Sequence, residues 1–232
     1  LFTLLPTKGA SHTKVRIGLM EQFLDLYGRE RINSLAADRE FIGEDWFKYL
    51  TANKIKYFIR VKSSTVMTFE NGVKVNAKKV FSNLELGSFA TRNKPVIVFG
   101  VQCYISATRV SAKGGKTDLL LIASFSLDHN PFENYKERWQ VETMFKAMKS
   151  SGFNINKTHL KKPERIENLF KLVMIAYCWC YQAGIYLHTK VKEITIKSHG
   201  RQQVSILKYG IDYLNRKLFM KDNTHILNHL QF

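Results

Sequence analysis

The sequence predicts an α/β fold, a mixed central sheet flanked by helices, interrupted by a β-rich stretch and followed by a helical, basic C-terminal part. Three observations predict it. Short apolar runs alternate with helical periodicity through residues 1–62, the mark of a layered α/β unit. β-Branched and aromatic runs separated by turn residues fill residues 63–128. Helical spacing returns at Pro131 and runs to about Leu187, within a segment 129–190, before a Lys-, Arg- and His-rich tail over residues 191–232.

The elements follow in order. Phe2 to Leu5 reads as a short strand stopped by Pro6 and Gly9. Ser11 or Thr13 can cap a helix whose apolar residues Val15, Leu19, Phe23 and Leu26 recur at helical spacing, and Gly28 ends it. Ile32 to Ala37 reads as a strand that delivers Asp38 at its C-terminal end. A helix over Asp45 to Leu50 and a strand over Tyr57 to Val61 complete the alternation. Val66–Phe69, Val73–Val75, Val96–Ile105 and Leu119–Phe125 read as strands of hairpins, with turns at Asn71-Gly72, Asn93-Lys94-Pro95 and Gly114-Gly115. Gly115-Lys116-Thr117 looks like the end of a phosphate loop, but Val110 stands where that motif needs glycine, so a hairpin turn is expected. Leu172 to Leu187 is apolar, falls short of the ~20 residues of a membrane span, and reads as a buried helix with Cys178 and Cys180 in the core. An amphipathic stretch covers Ser205 to Phe219.

Charge narrows the partner. The 232 residues carry 36 Lys and Arg against 19 Asp and Glu, a net +17. Self-repulsion on that scale favours a polyanionic partner, and phosphates that release counterions are the leading one. A membrane surface is the rival, yet no long helix with a strongly basic face is visible. Three cysteines form neither a disulfide framework nor a paired zinc spacing, which points to a reducing compartment. No signal peptide is visible, and Leu1 in place of Met reads as a fragment or processed chain.

Residues Tyr135 to Lys149 carry the chemistry. On a helical wheel of about 100° per residue with Tyr135 at zero, Arg138 falls near ~300°, Glu142 near ~340° and Lys149 near ~320°. Met144, Met148, Val141 and Phe145 occupy about 180° to 280°, so the polar stripe borders the buried face. A carboxylate flanked by Arg, Lys and Tyr suits a metal ligand beside phosphate-binding groups. The bland alternative is a solvated helix face with Arg138 and Glu142 as an i,i+4 pair.

The pattern Tyr135-x2-Arg138-x3-Glu142-x6-Lys149 resembles the Y-x2-R-x3-E-x6-K signature of the insertion-sequence-four family of bacterial DDE transposases. Ala37-Asp38-Arg39-Glu40-Phe41-Ile42-Gly43 looks like that family's second-aspartate motif, and Thr158-His159-Leu160 and Ser198-His199-Gly200-Arg201 resemble its downstream text. The resemblance implies an RNase H-like fold with a β-rich insertion between the second Asp and the Glu. It implies Asp38 and Glu142 as catalytic carboxylates holding Mg²⁺ (or Mn²⁺), with Tyr135, Arg138 and Lys149 gripping double-stranded DNA at transposon ends and target. A homodimer in the synaptic complex and a bacterial, cytoplasmic, nucleoid-associated location go with it.

The family pattern has three acids. Asp25 is the only aspartate before Asp38 and lies in the first expected helix, so the first acid is expected upstream, and this chain alone is expected to bind DNA and cleave poorly. The alternatives are a catalytically inactive DNA-binding remnant, favoured by the basic tail, and another RNase H-like nuclease.

Overall fold

The computed structural model describes residues 11–150 and 152–219, so the strand expected at Phe2–Leu5 and the last residues of the tail lie outside it. Between Val141 and Glu142 the chain divides into two compact units.

In the first unit the alternation expected from sequence is present: α1 (Thr13–Tyr27), β1 (Leu35–Ala37), α2 (Glu44–Ala52) and β2 (Tyr57–Val61). β3 (Val66–Thr68), β4 (Lys74–Asn76), α3 (Ala77–Val80), β5 (Phe89–Thr91), β6 (Val96–Val98), β7 (Val101–Ser111), β8 (Thr117–Ser124) and α4 (Pro131–Lys136) follow. The sheet runs β1-β2-β8-β7-β6-β3-β4, with β5 also paired to β7. Only β1 and β2 are parallel, as the intervening helix α2 allows; the remaining pairs are antiparallel, as hairpins require. This is a mixed α/β architecture of RNase H-like type, its central sheet mostly antiparallel and flanked by helices.

Strand alternation gives the sheet two unlike faces. One carries Ala37, Ile59, Ala123 and Ile105, a register row that joins Trp46, Phe47 and Leu50 of α2 in the main core. The other carries Phe58 and Ile122, packed against Tyr135 and Phe132 of α4.

Several expectations change in detail. The α1 N-cap is His12, with no side-chain cap bond, because Ser11 Oγ instead accepts from Arg16 Nε at 2.8 Å. The Val96–Ile105 run is two strands, folded at Phe99-Gly100, where both residues have positive φ (49° and 75°). Such a turn matches the twist of its strands but normally selects Asn-Gly. Here the Phe99 ring lies 5.0 Å from the Phe47 ring, so core packing offsets the strain that sequence alone would forbid. Gly114 and Gly115, both at positive φ, sit in the turn between β7 and β8, so the hairpin expected there is present.

The second unit holds most of α5 (Trp139–Ser150), α6 (Pro163–Tyr186) and α7 (Ile206–Phe219). A π-helical turn, Leu187–Val191, extends α6. α6 is not the buried helix expected. Leu172 is 66% and Ile175 51% exposed, Cys178 is exposed and Cys180 half-buried, and only Val173, Ala183 and Gly184 along the helix are buried. Within this unit α6 packs extensively against α7, but a single helix partner does not cover every apolar side of the Leu172–Leu187 run. Cys103 in the first unit is core, and burial pushes its thiol up to about 12. No helix among the described residues is long and apolar enough to cross a membrane.

The α6–α7 contact is backbone against backbone. A Cβ on Gly210 would stand 1.7 Å from the Cys180 carbonyl oxygen, and one on Gly184 2.0 Å from that of Ile206. Gly210→Ala is therefore expected to destabilise this unit by about 1–3 kcal/mol through overpacking. Thermal unfolding followed by circular dichroism checks this; an unchanged or raised Tm would show that the helices separate at no cost.

Candidate functional site

β1 is three residues long, and its last ladder pair is Ala37 with Ile59. Asp38 follows directly, at the C-terminal end of the strand, half-buried. A tight turn holds it: the Phe41 N–H donates to the Asp38 carbonyl at 2.8 Å, and the Arg39 N–H donates to Asp38 Oδ1 at 2.7 Å. One carboxylate oxygen is thus occupied by the backbone.

One residue past the Ala37–Ile59 pair stands Arg60, on the face that carries Phe58 and Ile122. Its guanidinium lies 3.4 Å from Asp118 Oδ2. Sequence reasoning missed Arg60, although a lone charge inside the apolar strand Tyr57–Val61 was the available signal.

α4 brings Tyr135 to the same face. Pro131 opens this helix at the position where a missing N–H costs nothing. Asp128 ties its start to the start of β2: its Oδ1 accepts from Asn130 N–H at 2.8 Å and Asn134 Nδ2 at 3.0 Å, and its Oδ2 lies 3.0 Å from Lys56 Nζ. Tyr135 is 8% exposed, with the Arg138 guanidinium 5.5 Å from its ring centre. Burial, and next the negative field of Asp38, push the phenol above its ordinary value, against the opposing pull of Arg138 and Arg60. Asp38, Arg60 and Arg138 thus all lie within electrostatic reach of Tyr135. Arg60, Tyr135 and Arg138, but not Asp38, line a recess of about 570 Å³ walled in part by Phe89, Phe132 and Trp139, the last 65% exposed.

Tyr135 to Lys149 is not the single helix the wheel assumed. α4 ends at Lys136 and α5 starts at Trp139. Across the break, Arg138 N–H donates to Tyr135 O and Val141 N–H to Arg138 O, both at 3.1 Å and both three residues back. Such three-residue closures overwind the chain, so the angles computed for Tyr135 and Arg138 do not carry into α5. The stripe holds only within α5, where Glu142 and Lys149, both exposed, lie seven residues and ~10.5 Å of axis apart. Glu142 is in the first turn and Lys149 in the last, the ends at which the helix dipole favours each charge. Ala147 and Met148 are buried, whereas Val141 and Phe145, expected on the buried face, are exposed.

Among the described residues no three His, Cys, Asp or Glu side chains gather into a closed metal cage. Mg²⁺ does not need one: it keeps waters and takes one or two carboxylates together with substrate phosphate oxygens. The donor chemistry at Asp38 fits that pattern, since it offers a hard carboxylate oxygen, and Arg60 and Arg138, which share Tyr135 with it as a neighbour, suit phosphate.

Comparison with known proteins adds two findings. A family model described as a transposase DDE domain matches residues 16–179, well over half of the chain and all the strands. A search of curated proteins found no match.

The Asp128 tie has a pH signature. Burial alone would raise its carboxyl, but the Asn130 N–H and the Lys56 ammonium outweigh this and hold it below its ordinary 3.8. A carboxyl depressed on folding stabilises fully above its unfolded value, and that stabilisation is lost as pH falls through the folded value. Asp128→Asn is expected to cost about 1–3 kcal/mol at neutral pH, and the gap in Tm from the unmodified protein should close as pH drops below 3.8. A gap that is constant with pH would mean the ion pair contributes nothing.

Proposed function

The chain belongs to the family of transposase DDE domains, and on that premise we propose that it serves metal-dependent cleavage and strand transfer of DNA at the ends of an insertion sequence. In this reading Asp38 and Glu142 are the carboxylates that hold Mg²⁺ or Mn²⁺, and Tyr135, Arg138 and Lys149 grip the DNA end. The observation that carries it is the setting of Asp38: a carboxylate at a strand end in whose field Tyr135 lies, with Arg60 and Arg138 acting on the same phenol. Glu142 enters through the four-residue signature it shares with Tyr135, Arg138 and Lys149.

The residues divide the work by their chemistry. A divalent cation bound by the carboxylates would activate a water or a DNA 3′-hydroxyl and offset charge on the leaving oxygen. Arg138 offers a planar fork to phosphate oxygens and stabilises the negative charge they carry. Tyr135, its phenol pushed up by burial and by Asp38, stays protonated at neutral pH, so it does not act as a base. Lys149, in the last turn of α5, adds a point charge farther along the DNA backbone. Residues 63–128 are the β-rich insertion between the two carboxylates. Pairing of two DNA ends calls for two copies of the protein.

Asp38 and Glu142 are two acids where the family pattern has three. Asp25, the one earlier aspartate, is exposed on α1 rather than at a strand end. The 232-residue chain by itself is therefore expected to bind DNA and cleave it poorly, and a purely DNA-binding role is the second reading this supports.

Two measurements test the assignment. In a cleavage-competent protein containing this domain, Glu142→Gln should reduce Mg²⁺-dependent cleavage by several orders of magnitude while DNA affinity changes less than about twofold; unaltered cleavage removes Glu142 from the metal site. Arg138→Ala should weaken duplex binding and lower the slope of log K against log salt by about one unit for the lost phosphate contact. An unchanged slope would show that Arg138 touches no phosphate.

A further inference from the structure

Arg16 is an unusual residue for its place. It lies in the first turn or so of α1 and is 9% exposed. Among the described residues no carboxylate lies within ion-pair distance of it. Its guanidinium is instead spent on neutral groups. Nε donates to Ser11 Oγ at 2.8 Å, and Nη2 donates to the Ser11 carbonyl and, at 2.9 Å, to the Glu40 carbonyl. The guanidinium carbon sits 4.6 Å from the centre of the Phe41 ring. The Glu40 carboxylate attracts the charge from beyond ion-pair distance, but the loss of solvent outweighs that attraction, and an apolar side chain would cover the same surface more cheaply. What the cationic fork provides, and an apolar side chain cannot, is a grip on a main-chain carbonyl 24 residues away.

The gripped segment is the turn that aims Asp38. β1 ends at Ala37, so no strand ladder holds Asp38 itself. Its carboxylate direction depends on the Arg39 N–H that binds Oδ1 and on the Phe41 N–H that closes the turn on the Asp38 carbonyl. Arg16 holds that turn at Glu40 and Phe41. We propose that Arg16 is a positioning residue for Asp38: through Glu40 and Phe41 it locks the turn so that Oδ1 stays on the backbone and Oδ2 faces the metal. The proposal rests on the reading of Asp38 as a metal ligand. Residues that orient a ligand in this way are typically worth about 10–100-fold in metal affinity.

The test uses the whole chain, with Mn²⁺ as the probe read by electron paramagnetic resonance and amide hydrogen exchange as a second readout. Arg16→Met keeps the apolar stem and removes the fork; Arg16→Lys keeps a charge over Phe41 but cannot bind Ser11 and Glu40 together. Arg16→Met should weaken Mn²⁺ binding about tenfold or more and speed exchange of the Arg39 and Phe41 amides while Ile59 and Ile122 in the sheet exchange as before. Arg16→Lys should fall between. If Asp38→Asn abolishes Mn²⁺ binding but Arg16→Met leaves it intact, the positioning role is overturned and the ligand reading stands. If Asp38→Asn itself leaves Mn²⁺ binding intact, the ligand reading fails and the positioning role fails with it. If Ile59 and Ile122 speed up as much as Arg39 and Phe41, Arg16 merely stabilises the fold and the proposal is wrong.

Discussion

The pairing of β1 with β2 is the constraint on which the first unit depends. Three residues, Leu35 to Ala37, lie in parallel register with Tyr57 to Ile59, and β8 continues the ladder on the far side of β2. A strand so short cannot hold its own register by hydrogen bonds alone. The apolar row Ala37–Ile59–Ala123–Ile105 supplies the rest, because a slip of one residue would turn every one of these side chains to the other face. At the start of β1, Arg29 donates to the carbonyls of Ile32, Asn53 and Lys54, fastening the strand's approach to the end of α2. Asp38 inherits its direction from this framework.

The same alternation that buries one face frees the other. Tyr57, Ile59 and Val61 enter the main core, so Phe58 and Arg60 between them must point to the opposite side. Phe58 with Ile122 then provides the floor on which Tyr135 rests, and Tyr135 in turn carries the Arg138 guanidinium. Packing and chemistry are joined here: the aromatic ring that closes the smaller core is the one placed in the field of Asp38.

The net charge of +17 overstates the basic surface offered to a polyanion. Three arginines of the first unit are turned onto main-chain carbonyls. Arg16 binds those of Ser11 and Glu40, Arg29 those of Ile32, Asn53 and Lys54, and Arg109 those of Phe81, Ser82 and Leu84. Arginine suits this work because its fork satisfies several acceptors at once and stays charged. Composition counts such residues with the solvent-facing ones, since both look alike until the chain is folded.

What the sequence determined by itself was whatever rests on short-range pattern. The strand over Tyr57–Val61 lies where its apolar run placed it, Asp38 stands at a strand end, and the β-rich stretch sits between the two helical regions. Period and turn residues encode these locally, and the family emerged from four residue types at three spacings. Tertiary structure alone decided the rest. No glycine or proline announces the break between Lys136 and Trp139, where α4 is pinned by the burial of Tyr135 against Phe58 and Ile122. No turn residue except Gly100 announces the fold at Phe99, which the Phe47 ring makes tolerable. Arg60, Asp128 and Arg16 lack any motif, because their roles come from partners on other elements that only the folded chain brings within reach.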